Sequence, residues 1–287
     1  MMATGAALTL RLDRGDPAHA FALVNGLRLH RLDWGGDGRP IILLHGVGGH
    51  AWMWSWIAPA LRAHGRPIAP DLRGYGDSQW SAERAYRTEE HASDLAALCA
   101  SLTSEPVDLV GFSWGGLVAL AFASEHPDRV RRVAIIDIPP ATEQPPDAIP
   151  PAFRGRFADH ADAVEAERVL APGADAGVLA LMAAFGSRSH PDGGLTRKLD
   201  PYLLSRWPFR ADDRWDELRG LRAPTLVVHA QDSVVLAADE ARRMVAEAPD
   251  ARLETIADSG HLVALERPDA LARALIDHLA YPAGSNR

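Results

Sequence analysis

The chain has 287 residues, 47% apolar and 24% charged, a globular composition that excludes disorder over most of its length. Thirty Lys and Arg against 38 Asp and Glu leave a net charge of −8, the wrong sign for a protein that neutralises nucleic-acid phosphates. The one cysteine, Cys99, excludes an internal disulfide and a thiolate-rich zinc site.

In chain order, residues 1–16 hold one short apolar patch with Arg11 and Arg14 after it rather than before it, which is not the layout of a secretory signal. No apolar run approaches the roughly 18 residues of a spanning helix. Both observations point to a cytoplasmic protein with no membrane partner. Residues 20–24 and 27–33 flank Asn25-Gly26, a dipeptide suited to a type I′ turn, and predict an opening hairpin. Short apolar runs at 40–44, 67–70, 107–111, 133–137, 225–229 and 252–256 predict buried strands, and the stretches 52–64, 88–102, 114–124, 239–247 and 268–279 predict helices. Strand alternating with helix is the pattern of a mostly parallel central sheet flanked by helices on both faces, an α/β fold. Residues 139–218 break the rhythm: a proline cluster is followed by helical pieces near 161–169, 178–185 and 201–207, with no strand of the main sheet. A structureless loop that long is improbable in a compact domain, so the segment predicts a helical cap inserted between core strands. The expected organisation is a core of 18–138 and 219–283 with a cap of 139–218.

Gly111-Phe112-Ser113-Trp114-Gly115 follows one predicted strand and opens a predicted helix, the context a nucleophile elbow requires. A tight turn there lifts the Ser113 hydroxyl clear of the backbone, and glycines two positions to either side remove Cβ atoms that would strike neighbouring elements. After the strand at 40–44 comes His45-Gly46-Val47-Gly48-Gly49. It lacks the Gly-x-Gly-x-x-Gly spacing and the Lys-Ser/Thr of a phosphate loop, so nucleotide binding is the weaker reading. Beside an elbow it supplies a backbone N–H, from Val47, that pairs with that of Trp114 as an oxyanion hole. His45 reads as a structural loop residue.

Leu44-His45-Gly46, Asp71-Leu72-Arg73-Gly74-Tyr75-Gly76-Asp77-Ser78, Gly111 to Gly116 and Ser259-Gly260-His261, in this order, resemble the α/β-hydrolase superfamily with a cap domain, over roughly residues 20–282. The resemblance implies His261 as general base, with Asp71 to Ser78 a structural turn. It leaves two candidates for the acid that accepts the other imidazole N–H. In the commoner family pattern the acid lies in the loop after the later strand, where Asp232 stands, but the family's exact position is occupied by Ser233. Some relatives place it after the strand that follows the nucleophile, which matches Asp137. Asp137 is the favoured acid and Asp232 the alternative, with Ser233 as polar support.

Trp52 and Trp56, with Phe185, Trp207 and Phe209 of the cap, are expected to bind an apolar acyl or alcohol group, and Trp114 is expected to line the pocket. The cap arginines Arg188, Arg197, Arg206 and Arg210 could clamp a carboxylate but read as solvated. The expected function is a cofactor-independent serine hydrolase of carboxylic esters or lactones, with a small-molecule substrate and no metal. A C–C bond hydrolase of diketone-like substrates is the alternative, and a small-molecule receptor on the same fold is the reading from a different class. Epoxide hydrolase and haloalkane dehalogenase are disfavoured, since those chemistries use an aspartate where this chain has Ser113.

Overall fold

The computed structural model describes residues 16–141, 153–205 and 213–280. Strands β1 (Ala18–Val24) and β2 (Leu27–Asp33) form the opening hairpin, with Asn25 at φ 48° and Gly26 at φ 79° as its turn requires. β3 (Pro40–Leu44), β4 (Arg66–Pro70), β5 (Val107–Phe112), β6 (Val130–Ile136), β10 (Thr225–Ala230) and β11 (Ala251–Ile256) complete an eight-stranded sheet of order β1-β2-β4-β3-β5-β6-β10-β11. From β4 to β11 every neighbouring pair is parallel; β2 runs antiparallel to both of its neighbours. β3, β5 and β10 are buried along their whole length, which is why they read as continuous apolar runs.

Helices cover both faces. One apolar layer contains Trp54, Ile57 and Leu61 with Leu271 and Leu275 of α8 (Pro268–Ala280). The other joins α2 (Thr88–Leu102), α3 (Trp114–Glu125) and α7 (Ala238–Glu247). All residues of α3 from Trp114 to Ala123 are buried, so it is apolar all round rather than amphipathic. The helix predicted over 52–64 is broken. A 3-10 turn at Ala51–Trp54 precedes the short α1 (Ala58–Leu61), where Pro59 sits in the first turn, the one place in a helix that tolerates its missing N–H.

Between β6 and β10, neighbours in the sheet, lies the long insertion. It is not purely helical. Besides α4 (His160–Leu170) and α5 (Ala176–Gly186) it contains a three-stranded sheet of β7 (Arg156–Phe157), β9 (Leu195–Arg197) and β8 (Ser187–Ser189), with β7 before the helices and β8 and β9 after them. The helix expected near 201–207 is a 3-10 turn at Pro201–Leu204. Backbone bonds tie the insertion to the core: Gly76 N–H to Lys198 O at 2.8 Å and Asp200 N–H to Gly74 O at 2.8 Å. α6 (Trp215–Arg219), inside the stretch assigned to the cap, puts Trp215 and Leu218 into the same apolar layer as α3 and α7.

Candidate active site

The sheet order reverses at β3, with β4 on one side and β5 on the other, and the carboxyl ends of strands at such a switch point form a crevice. Ser113 stands at the end of β5. Its φ of 51° and ψ of −130° lie outside the ordinary regions, a strain of about 1–3 kcal/mol. The surroundings enforce it. The Ser113 N–H bonds Ile136 O at 2.8 Å, and its carbonyl accepts the Gly116 N–H at 2.7 Å. A Cβ on Gly115 would lie 2.6 Å from His45 O, so α3 can approach β3 this closely only with glycine there.

His261, in the loop after β11, points Nε2 at Ser113 Oγ, 3.0 Å away, and Nδ1 at Asp137 Oδ2, 2.7 Å away. Asp137 follows β6 directly and is fully buried, with φ at 52°. Its Oδ1 accepts the Ala230 N–H at 3.0 Å, and its Oδ2 also accepts the Ser233 hydroxyl at 2.5 Å. With a carboxylate on its Nδ1 side, the neutral imidazole keeps its proton there and turns a lone pair on Nε2 toward the serine. Ser113, His261 and Asp137 thus form one hydrogen-bonded chain drawn from three strand ends. Asp232 is not in it: its side chain is exposed, and its backbone N–H ties the two late loops together through Ser259 O at 2.9 Å.

Gly46 meets the serine across the crevice, since a Cβ there would lie 2.8 Å from Ser113 Cβ. Val47 follows in the same loop, and Trp114 supplies the first backbone N–H of α3, which has no partner within the helix. Only the backbone of Trp114 faces this region. Its indole is wholly buried on the far side, donating from Nε1 to Thr88 Oγ1 at 3.0 Å and packing edge-on against His91, so it does not line the pocket as expected. His45 is also structural: Nδ1–H donates to Gly46 O at 2.8 Å, Nε2 accepts the Leu72 N–H at 3.0 Å, and burial disfavours its protonated form. Asp71 anchors the turn after β4. It accepts Ala51 N–H at 2.7 Å, Asp77 N–H at 2.9 Å and His30 Nδ1–H at 2.7 Å. Burial opposes its charge, but the His30 bond and the neighbouring imidazoles outweigh it and hold the carboxyl at about 2.

A cavity of about 40 Å³ lies along the Gly46–Gly49 loop, walled by Val47, Phe112 and Leu262, the sequence neighbours of the site residues, and by Phe153, Glu167 and Met182 from the insertion. Of the expected substrate contacts, Trp52 and Trp56 are buried in the core layer rather than in this wall. Phe185 stacks on Trp52, with ring centroids 3.7 Å apart, and is 36% exposed. Trp207 and Phe209, like Arg206 and Arg210, lie outside the described residues. Arg188 is exposed over the Trp80 ring, whereas Arg197, expected in solvent, is buried and paired with Glu167 at 2.8 Å. Phe112 and Leu262 flank the serine and the histidine in sequence, a signal that could have found them. Glu167 gave none, because a charge on a surface helix ordinarily reads as solvated.

The fold and the serine at its strand-end turn define a class, that of the α/β hydrolases, and residues 39–171 match the family described as alpha/beta hydrolase fold. The chain is 30% identical over 224 residues to a haloalkane dehalogenase of Mycolicibacterium paratuberculosis, covering 70% of this chain and 73% of that one. It is 27% identical over 267 residues to 2-hydroxy-6-oxo-2,4-heptadienoate hydrolase of Pseudomonas putida (85% and 90%) and 27% identical over 251 residues to an esterase of Mycobacterium tuberculosis (84% and 82%). A solved structure of that esterase superposes with a TM-score of 0.75 over 95% of this chain and 96% of its own. The match to soluble epoxide hydrolase of a Corynebacterium, at 36% identity, spans only 46% of either chain. The chain belongs to the α/β-hydrolase superfamily.

Proposed function

We propose that the protein is a serine hydrolase of carboxylic esters or lactones that works through an acyl-enzyme, without a cofactor. The observation that carries this reading is the chain Ser113 Oγ, His261 Nε2, His261 Nδ1, Asp137 Oδ2, with links of 3.0 and 2.7 Å. His261 takes the hydroxyl proton as Ser113 Oγ bonds to the ester carbon, and the carbonyl oxygen becomes an oxyanion between the Val47 and Trp114 N–H groups. Asp137 stabilises the imidazolium without taking its proton. As the ester C–O bond breaks, His261 returns the proton to the leaving alcohol; water, deprotonated by His261, then cleaves the acyl-Ser113 bond and restores the serine. The insertion, leaving the core beside Asp137, serves as a roof that excludes water and sets substrate choice.

The similarity to epoxide hydrolase and dehalogenase speaks to shared fold rather than shared chemistry, because those reactions need a carboxylate nucleophile where Ser113 stands. Similarity to the heptadienoate hydrolase over 90% of its length favours C–C bond cleavage of diketone-like compounds as the second reading. Wild type and Ser113→Ala, assayed on p-nitrophenyl esters, lactones and a 1,5-diketone, separate them. Ester or lactone turnover lost by at least about 10⁴-fold in the variant supports the first reading. Turnover of the diketone alone supports the second. No turnover beside tight small-molecule binding points to a receptor.

A further inference from the structure

We propose that Glu167 is a specificity-determining residue that selects acyl groups carrying a neutral hydrogen-bond donor, a hydroxyl, close to the scissile carbonyl; this rests on the reading of Ser113 as the nucleophile toward esters. Glu167 is the one ionisable residue among those described in the wall of the cavity along the Gly46–Gly49 loop, which is otherwise formed by glycines and apolar side chains. It projects from α4 and is only 6% exposed. Its Oε1 accepts Arg197 Nη1–H at 2.8 Å. Its Oε2 has no hydrogen-bond partner among the described residues, and it is not among the fully enclosed polar atoms left without one. Glu167 thus carries an acceptor that is neither paired among the described residues nor sealed off, on a side chain that lines the cavity; on this proposal the cavity takes the acyl substituent.

Arg197 explains why the acceptor stays in place and which donor it suits. The guanidinium, 5% exposed and fixed by the ring of Phe157 5.2 Å from its centre, pairs with Glu167 through one nitrogen, leaving its buried Nη2 without a partner. A carboxylate and a guanidinium ordinarily meet with two parallel bonds. The single bond here orients one oxygen and leaves the other unpaired among the described residues. The pair is already neutral, so a substrate ammonium would bring an uncompensated charge into an apolar pocket, whereas a hydroxyl brings none. A cavity of about 40 Å³ holds a substituent of about three to four non-hydrogen atoms at roughly 10–15 Å³ for each water-sized occupant. That is the size of a short hydroxyalkyl chain.

The test compares phenyl esters of butyrate, 2- and 3-hydroxybutyrate, 3-oxobutyrate and 3-aminobutyrate. In the wild type the better hydroxy ester should exceed butyrate, the oxo ester and the amino ester in kcat/KM by at least about tenfold. In Glu167→Gln the side-chain oxygen still accepts from Arg197 and the amide NH₂ faces the cavity, so the hydroxy-to-oxo ratio should fall to about one or invert. The double variant Glu167→Leu/Arg197→Met leaves no unpaired buried charge and should also erase the preference. Hydroxy esters no faster than butyrate, an amino ester in the lead, or a ratio unchanged in the variants would overturn the proposal. If wild type turns over no ester, that outcome counts against the ester reading, and calorimetry with Ser113→Ala decides this one: 3-hydroxybutyramide binding about tenfold tighter than butyramide supports it, and equal binding overturns it.

Discussion

The strand-end loops of the core and the insertion above them are held by different kinds of interaction. Around Ser113 and Asp137 the backbone does most of the positioning: both sit at positive φ at the ends of buried strand segments, each fixed by an N–H bond to a neighbouring strand. In the insertion, side-chain pairs add to the backbone bonds: Glu167 to Arg197, Lys198 to Asp77, Tyr86 to Asp200. A backbone-fixed site tolerates little change in geometry, whereas a wall held by side-chain pairs can be rebuilt by single substitutions. On the function proposed above, reactivity belongs to the first region and selectivity to the second.

The largest effect separates the two aspartates. Asp137→Asn should lower kcat by about 10³ to 10⁴-fold, because an amide facing His261 Nδ1 holds the wrong tautomer. Asp232→Asn, with its exposed side chain, should stay within about threefold. Steady-state kinetics on one p-nitrophenyl ester checks both, and a reversed order would move the acid to the loop after β10.

A smaller loss is expected from Ser233→Ala, which removes the 2.5 Å bond to Asp137 Oδ2 but leaves the bond from Ala230 N–H. Hydrogen bonds to charged groups contribute about 1.5–3 kcal/mol, so kcat should fall by about ten- to a hundredfold with KM nearly unchanged. Asp137→Ser combined with Ser233→Asp places a carboxylate at the other position and should recover part of the activity that Asp137→Ala loses. No recovery would mean that the loop after β10 cannot present an acid to His261.

The most gradual effect is on stability. Burial lowers His45 and His91, takes His50 to about 4, and takes His278 to about 3. A histidine whose folded value is depressed contributes stability that is complete above its unfolded value near 6.5 and is lost as pH falls toward the folded value. For His50, between 6.5 and about 4, that loss is about 1.4 kcal/mol per pH unit. Thermal melts should therefore give a level Tm above pH 7 and a steep fall between pH 6.5 and 4. His50 Nε2 meets Met182 O across the seam between core and insertion, at 3.2 Å, so His50→Asn should flatten part of that slope. A Tm independent of pH over this range would contradict the buried neutral state.

The core was legible because its elements are long and its motifs punctuate them: the hairpin turn at Asn25-Gly26, the buried run of β3 and the elbow at Ser113 each combine local chemistry with position. Asp137 could be chosen over Asp232 only by the unusual serine at 233, which occupies the commoner acid position and in the fold bonds to Asp137. The insertion was not legible to the same degree. Strands of two or three residues, as in β7, β8 and β9, are too short to carry a period, and Gly193 and Gly194 at positive φ mark their hairpin more clearly than any alternation does. The tryptophans misled for a related reason. Trp52, Trp56 and Trp114 are near the site in sequence, yet large aromatic side chains beside strand ends are drawn into the two apolar layers, and only tertiary packing decides which way each points.

The most direct test is to locate the covalent intermediate. Wild type mixed with a p-nitrophenyl ester, quenched in acid within one turnover and digested, should carry a single acyl group, on the peptide containing Ser113, with p-nitrophenol released in a stoichiometric burst. Asp137→Asn should show the same site at a much slower rate, and Ser113→Ala should show no adduct. An acyl group on another residue, or full turnover with no adduct and no burst, would contradict Ser113 as the nucleophile and with it the role of the chain that joins it to His261 and Asp137.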